Sequence, residues 1–129
     1  MPYKRTRTRR QHFDVLADMH KTVGESLMFE SSYITYNQDN ERWIYAGLLV
    51  AKHSTTGKYV PYNASASYGT GSDTAVGILT TPHDVTYGDE PIAPVTHATV
   101  HERFCYLWGG AVGTVPNGAK TNLSLIQWK

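Results

Sequence analysis

Residues 45–79 read YAGLLVAKHSTTGKYVPYNASASYGTGSDTAVGIL, and the fold turns on how this stretch divides. With the preceding Arg42–Trp43–Ile44 it opens as RWIYAGLLVAK, an apolar run of strand length, too short to cross a membrane. STTG follows as a turn, then KYVPY as a second strand. Pro61 there hints at an edge or a bulge, because proline has no N–H to give a ladder. The end of the stretch, YGTGSDTAVGIL (68–79), poses a choice between a phosphate cradle and a set of bends. A dinucleotide fingerprint starting at Gly69 needs a third glycine at position 74, which is Thr74. A Walker loop needs Gly-Lys-Ser/Thr where this chain has Gly77-Ile78-Leu79. The glycines are therefore read as a turn over 69–73 feeding a strand from Thr74 to Leu79. Gly77 inside that strand marks a bulge or the close approach of another backbone.

Working outward, PVTHATV, RFCYLW, GAVGTV and TNLSLIQW read as further short strands separated by Gly, Pro, Asn and Asp. Asn117-Gly118 is a favoured pair for a tight hairpin turn, since both residues tolerate positive φ. The penultimate residue, Trp128, suggests a C-terminus that is tied down. On the other side, SLMFESSYITY (26–36) is rich in aromatic and β-branched residues and reads as a strand. DVLADMHKTVG (14–24) reads as a short helix, with Asp14 as N-cap and Gly24 just past its end. Short strands at regular spacing predict a mainly β protein: a small barrel-like or sandwich-like domain over 43–129, with an N-terminal arm and extension over 1–42.

Charge divides the 129-residue chain unevenly. Its net charge is +1, but Lys4, Arg5, Arg7, Arg9 and Arg10 account for five of twelve basic residues. The remaining 119 positions are acidic, with seven basic against eleven acidic side chains. A basic arm on an acidic body suggests a tail that seeks a negatively charged partner; a solvated terminus is the plainer alternative. Cys105 is the one cysteine, so no intrachain disulfide forms. With no secretory signal apparent, folding in a reducing cytosol is expected.

Nothing predicts catalysis. No Gly-x-Ser-x-Gly elbow occurs, and Cys105 lies among bulky apolar neighbours, as a buried core thiol does. His97 and His101, four apart in THATVH, would share a strand face and could bind zinc with Cys105 or His83 as a third ligand. The ordinary reading, the polar side of a half-buried strand, is preferred, and neither metal nor cofactor is assigned. Trp43 and Tyr45 are expected in the core, while others among nine tyrosines and three tryptophans are expected at contacts between subunits.

Residues 45–79 also resemble the head decoration protein D family of lambda-type tailed bacteriophages, the capsid cement proteins. The resemblance rests on Gly47, Gly57-Lys58-Tyr59, Gly71, Asp73 and Ala75-Val76-Gly77-Ile78-Leu79, and extends over roughly residues 43 to 127. It implies a β-clip fold, a homotrimer, the major capsid protein as partner, and attachment outside an expanded icosahedral head after assembly in the host cytoplasm. There the trimer would stabilise the head against the pressure of packaged DNA. No membrane partner is expected, since no apolar run reaches spanning length, and nucleic acid is the less favoured partner. The arm is longer and more cationic than the family leads one to expect. Tyr3, Lys4, Arg5, Arg7, Arg9, Arg10 and Phe13 are assigned to the capsid surface, with SLMFESSYITY as a second wrapping segment. The rival reading is a small coat, head or tail component whose arm binds packaged nucleic acid, with a salt slope of roughly −4 to −5.

Overall fold

The computed structural model describes residues 15–63, 74–108, 113 and 115–129. It is mainly β, as the turn spacing predicts. Ten strands are present among the described residues: β1 (Leu16–Val23), β2 (Leu27–Phe29), β3 (Trp43–Ile44), β4 (Leu49–Lys52), β5 (Tyr59–Pro61), β6 (Ala75–Ile78), β7 (His83–Asp84), β8 (Glu90–Ile92), β9 (Val95–Val100) and β10 (Ile126–Trp128). Eight form one sheet in the order β1-β9-β6-β4-β5-β2-β8, with β10 added parallel to β9, and β3 pairs with β7 in a second, small sheet.

The stretch at 45–79 supplies the middle of the large sheet, and its burial explains why its apolar run is continuous. Leu49 and Ala51 of β4, with Val60 of β5, enter one core with Ala75, Ile78, Val95, Val100, Leu123 and Ile126. Leu48, Val50 and Tyr59 enter a second core with Phe29, Ile44, Leu79, Val85 and Ile92. Successive strand side chains alternate faces, so a strand covered on both sides must be apolar at every position. RWIYAGLLVAK is nevertheless two strands, broken at Gly47. That residue has φ +99°, and a Cβ there would lie 2.0 Å from the Phe104 carbonyl oxygen. The close approach lets Tyr106 N–H donate to Gly47 O at 2.9 Å and Leu49 N–H to Tyr106 O at 3.1 Å.

The bends fall largely where glycine and proline place them. Gly57 closes the STTG turn with φ +71°, and its N–H donates to His53 O at 2.9 Å. Tyr62 N–H donates to Leu49 O at 3.0 Å, which leaves Pro61 at a non-hydrogen-bonded position opposite Val50. Gly77 meets both expectations. The register steps from Val50↔Gly77 to Ala51↔Ala75, a bulge at Val76, and a Cβ on Gly77 would lie 3.1 Å from the Val95 carbonyl oxygen and 2.8 Å from the Pro94 side chain.

Five local readings are corrected. DVLADMHKTVG is not helical over its described part: residues 16–23 are β1, paired antiparallel with β9. Weak helical propensity yields there to a long partner strand. SLMFESSYITY is a strand only at Leu27–Phe29, after which Ser31–Tyr33 form a 3-10 turn. RFCYLW is a 3-10 turn at Glu102–Phe104 followed by a single bridge, Leu48↔Tyr106, because the chain must bend to reach Gly47. Asn117-Gly118 does not make a hairpin. Pro116 starts a helix, α1 (Asn117–Asn122), in which neither residue has positive φ, and Ala119 and Leu123 are buried one turn apart. TNLSLIQW accordingly begins in that helix and becomes β10 at its end. The terminus is tied down, with Lys129 N–H donating to Val100 O at 2.9 Å. GAVGTV lies outside the described residues except Gly113 and Val115.

Candidate partner-facing surface

A surface suited to a partner forms after β2 and ahead of β3 and β8. Tyr33 and Tyr36 follow β2, and Tyr87 lies in the turn between β7 and β8. They are 43%, 58% and 71% exposed, whereas large apolar side chains of the sheet are mostly buried. The backbone beneath them is bound together by Arg42. Its Nη1 donates to Ser31 O and its Nη2 to Thr86 O, each at 3.1 Å, and its guanidinium lies over the Tyr36 ring, 4.6 Å from the centroid. Arg42 N–H donates to Thr86 Oγ1, and Thr86 N–H to Asp84 Oδ1. One cation thus joins the 3-10 turn, the β3 entry and the 84–89 turn.

Asp89 forms the second joint. Its Oδ1 accepts from Ser31 N–H and Ser31 Oγ, both at 2.9 Å, and its Oδ2 accepts from Lys58 Nζ at 2.6 Å. The Lys58 hydrogen bond first, then the Ser31 N–H, hold the Asp89 carboxyl below the usual carboxylate range; Asp89 in turn raises Lys58. Ser31 is buried, so these contacts satisfy groups that water cannot reach. The intervening loop is ordered by Asn37, whose Oδ1 accepts from Asp39 N–H at 2.9 Å and Glu41 N–H at 3.0 Å. Glu30, Asp39, Glu41, Asp84, Asp89 and Glu90 all belong to these segments, alongside the cations Arg42 and Lys58 that bind them together. Aromatic side chains on a rigid hydrogen-bonded base are the usual anchors of a protein interface.

The residues considered for chemistry are placed differently. His97 is exposed in β9, and the His101 ring, beyond its end, meets Phe104 edge-on at 5.8 Å. Cys105 is fully buried, as expected of a core thiol. Its Sγ donates to His101 O at 3.5 Å, and burial pushes the thiol up to about 12. His83 lies half-buried in β7 within 3.1 Å of Thr81 Oγ1, and burial lowers its pKa. Among the described residues, His, Cys, Asp and Glu form no group of three arranged to hold a metal. Trp43 is buried, while Tyr45 is half-buried and stacked against it at 6.4 Å. An open groove of about 550 Å³ across β1, β9 and Ser124–Gln127 has His97 and Lys21 in its walls but no carboxylate.

The arm residues Tyr3, Lys4, Arg5, Arg7, Arg9, Arg10 and Phe13 lie outside the described residues, as do Gly69 and Gly71. Of the surface now identified, SLMFESSYITY contains Tyr33 and Tyr36. Tyr87 and Arg42 carry no signal in sequence, because their roles depend on β3 and the 84–89 turn meeting.

Comparison with known families gives a match over most of the chain. The model of the bacteriophage lambda head decoration protein D family matches residues 24–121, about three-quarters of the chain. That interval begins ahead of β2 and includes the tyrosine surface. Neither the curated proteins nor the solved structures contain a match.

Proposed function

The chain belongs to the bacteriophage lambda head decoration protein D family, and from that premise we propose that it is a capsid cement. It binds the outside of the expanded head as a homotrimer and holds the shell against the pressure of packaged DNA. The observation that carries this reading is the family match across β2 to α1, supported by a β fold of buried strands, with bends at Gly47 and Gly77 and exposed tyrosines. Membership itself gives a structural role in decorating the capsid. Trimeric state, outer location and pressure resistance are the proposed refinements.

The physical mechanism needs no bond-making. A ligand that binds only the assembled, expanded state stabilises it by mass action, by ~2.7 kcal/mol at a hundred times its dissociation constant. Three linked subunits engaging neighbouring coat proteins add avidity without a new kind of contact. The arm residues Tyr3, Lys4, Arg5, Arg7, Arg9, Arg10 and Phe13 engage the major capsid protein by guanidinium–carboxylate pairing and by strand addition. Cosedimentation of the full chain with expanded and unexpanded DNA-free shells tests this. Binding to expanded shells alone, weakened by reversing the arm charges, is expected. Absence from both pellets, with salt-dependent retention on duplex DNA, would favour the nucleic-acid reading instead.

A further inference from the structure

We propose that Asn117-Gly118 is a self-modification site, at which Asn117 is converted to aspartate and isoaspartate through a cyclic imide, with water as the co-reactant. This chemistry depends on residues 115–123 alone and is independent of the capsid reading. Of the five asparagines in the chain, Asn117 is the one followed by glycine; the others precede Gln38, Glu41, Ala64 and Leu123. A following residue without a side chain leaves its nitrogen an unobstructed approach to the asparagine amide carbon. Asn37 and Asn122 are also held by their side chains: Asn37 Oδ1 accepts from Asp39 and Glu41 N–H, and Asn122 Oδ1 accepts from Ala75 N–H. Asn117 and Gly118 are exposed, and the Asn117 side-chain amide has no hydrogen bond among the described residues. Their flanks are anchored. Val115 and Ala119 are buried, and Glu102 accepts from Val115 N–H at 3.1 Å and from Lys120 Nζ at 2.9 Å.

The backbone supplies the nucleophile. The bonds of α1 begin with Lys120 N–H donating to Pro116 O at 3.1 Å, and no side chain caps the helix at Pro116. Gly118 N–H precedes that first bond and has no intrahelical acceptor. On the carbonyl side of the same peptide unit, Asn117 O accepts from Thr121 Oγ1 at 3.0 Å. Deprotonating Gly118 N spreads negative charge onto that oxygen by amide resonance, so the Thr121 hydroxyl stabilises the nucleophile. Attack requires the Asn117 peptide to leave helical geometry. Gly118 permits this at an exposed terminal turn, where a Cβ would meet nothing nearer than Tyr62 Oη at 3.7 Å. In the step itself the Gly118 proton passes to solvent, the bond from Gly118 N to Asn117 Cγ forms, and the Cγ–Nδ2 bond breaks. Nδ2 leaves as ammonia, taking its proton from solvent. Water then opens the ring. Opening at Cγ leaves aspartate in the ordinary chain; opening at the backbone carbonyl leaves isoaspartate, with the chain rerouted through Cγ and longer by one methylene. That added length falls within the turn closed by Lys120 N–H and Pro116 O. It loosens α1, whose Asn122 holds Ala75 N–H at the start of β6.

The full-length protein is incubated at neutral and at mildly alkaline pH, and position 117 is followed by peptide mapping, a mass gain of about one unit marking conversion. Isoaspartate is scored separately with a protein isoaspartyl methyltransferase. Conversion concentrated at Asn117, and quicker at the higher pH, is expected. No conversion in the folded protein, while a free peptide of residues 111–123 converts, overturns the proposal. Gly118→Ala meets no clash and needs no positive φ, and it should slow conversion at least about tenfold. A rate equal to wild type in that variant overturns attack by the Gly118 nitrogen. Thr121→Val keeps the side-chain shape without the hydroxyl, and should slow the folded protein about threefold or more while leaving the peptide rate unchanged. Equal rates in wild-type and Thr121→Val protein overturn activation by the fold. The comparison of wild-type protein with peptide stands whether or not either variant keeps α1. Hydrogen exchange at Ala75 should be faster in protein converted to isoaspartate, and unchanged exchange there overturns the link from this site to β6.

Discussion

Gly47 shows most sharply how single residues fix this fold. A side chain there needs a left-handed backbone and collides with the Phe104 carbonyl. Gly47→Ala should therefore cost roughly 3 kcal/mol or more, from backbone strain and overpacking together, read as a lowered urea midpoint. Gly77→Ala meets Pro94 and should cost less, about 1–3 kcal/mol. Asp89 makes a prediction in pH. Its folded-state pKa is depressed, chiefly by Lys58, and that of Glu102 is depressed by Lys120 and by Val115 N–H. Each thus contributes stability above the unfolded carboxylate value of about 4 and loses it as pH falls through the lower folded value. The unfolding midpoint should drop below pH ~4, and Asp89→Asn should flatten part of that decline. An unchanged pH profile in Asp89→Asn would remove Asp89 as a stabilising joint of the tyrosine surface.

At the scale of elements, what was legible in sequence is what depends on one stretch alone. Continuous apolar residues from Leu48 to Ala51, the Gly57 turn and the bulge beside Gly77 all declare themselves locally, and the structure has each. Elements set by distant partners did not. Nothing within residues 14–24 reveals β9 as their pairing strand, and nothing in Asn117-Gly118 reveals a helix. That helix is fixed by tertiary bonds: Asn122 Oδ1 accepts from Ala75 N–H at 3.0 Å, and Lys120 Nζ donates to Glu102 at 2.9 Å. Asn122→Ala should accordingly destabilise by about 1–3 kcal/mol, since it strands an N–H at the start of β6. Hydrogen exchange at Ala75 should quicken in that variant; retained protection there would show that α1 does not secure β6. The tyrosine surface was half legible for the same reason. Tyr33 and Tyr36 stand in one aromatic segment, but Arg42 and Tyr87 join them only through the meeting of β3 with the 84–89 turn.

The whole molecule combines two cores, a sheet spanning most of the described chain and a strong separation of charge. The basic positions of the arm precede β1, while carboxylates gather around β2, β3 and β8. The central claim is that binding stabilises an expanded shell, and calorimetry of expanded, DNA-free shells with increasing amounts of the full chain tests it most directly. The account predicts that the shell transition rises with protein concentration, as expected for a ligand specific to the assembled state. A transition temperature that stays fixed while the protein is demonstrably bound would contradict the cement function, leaving decoration without stabilisation.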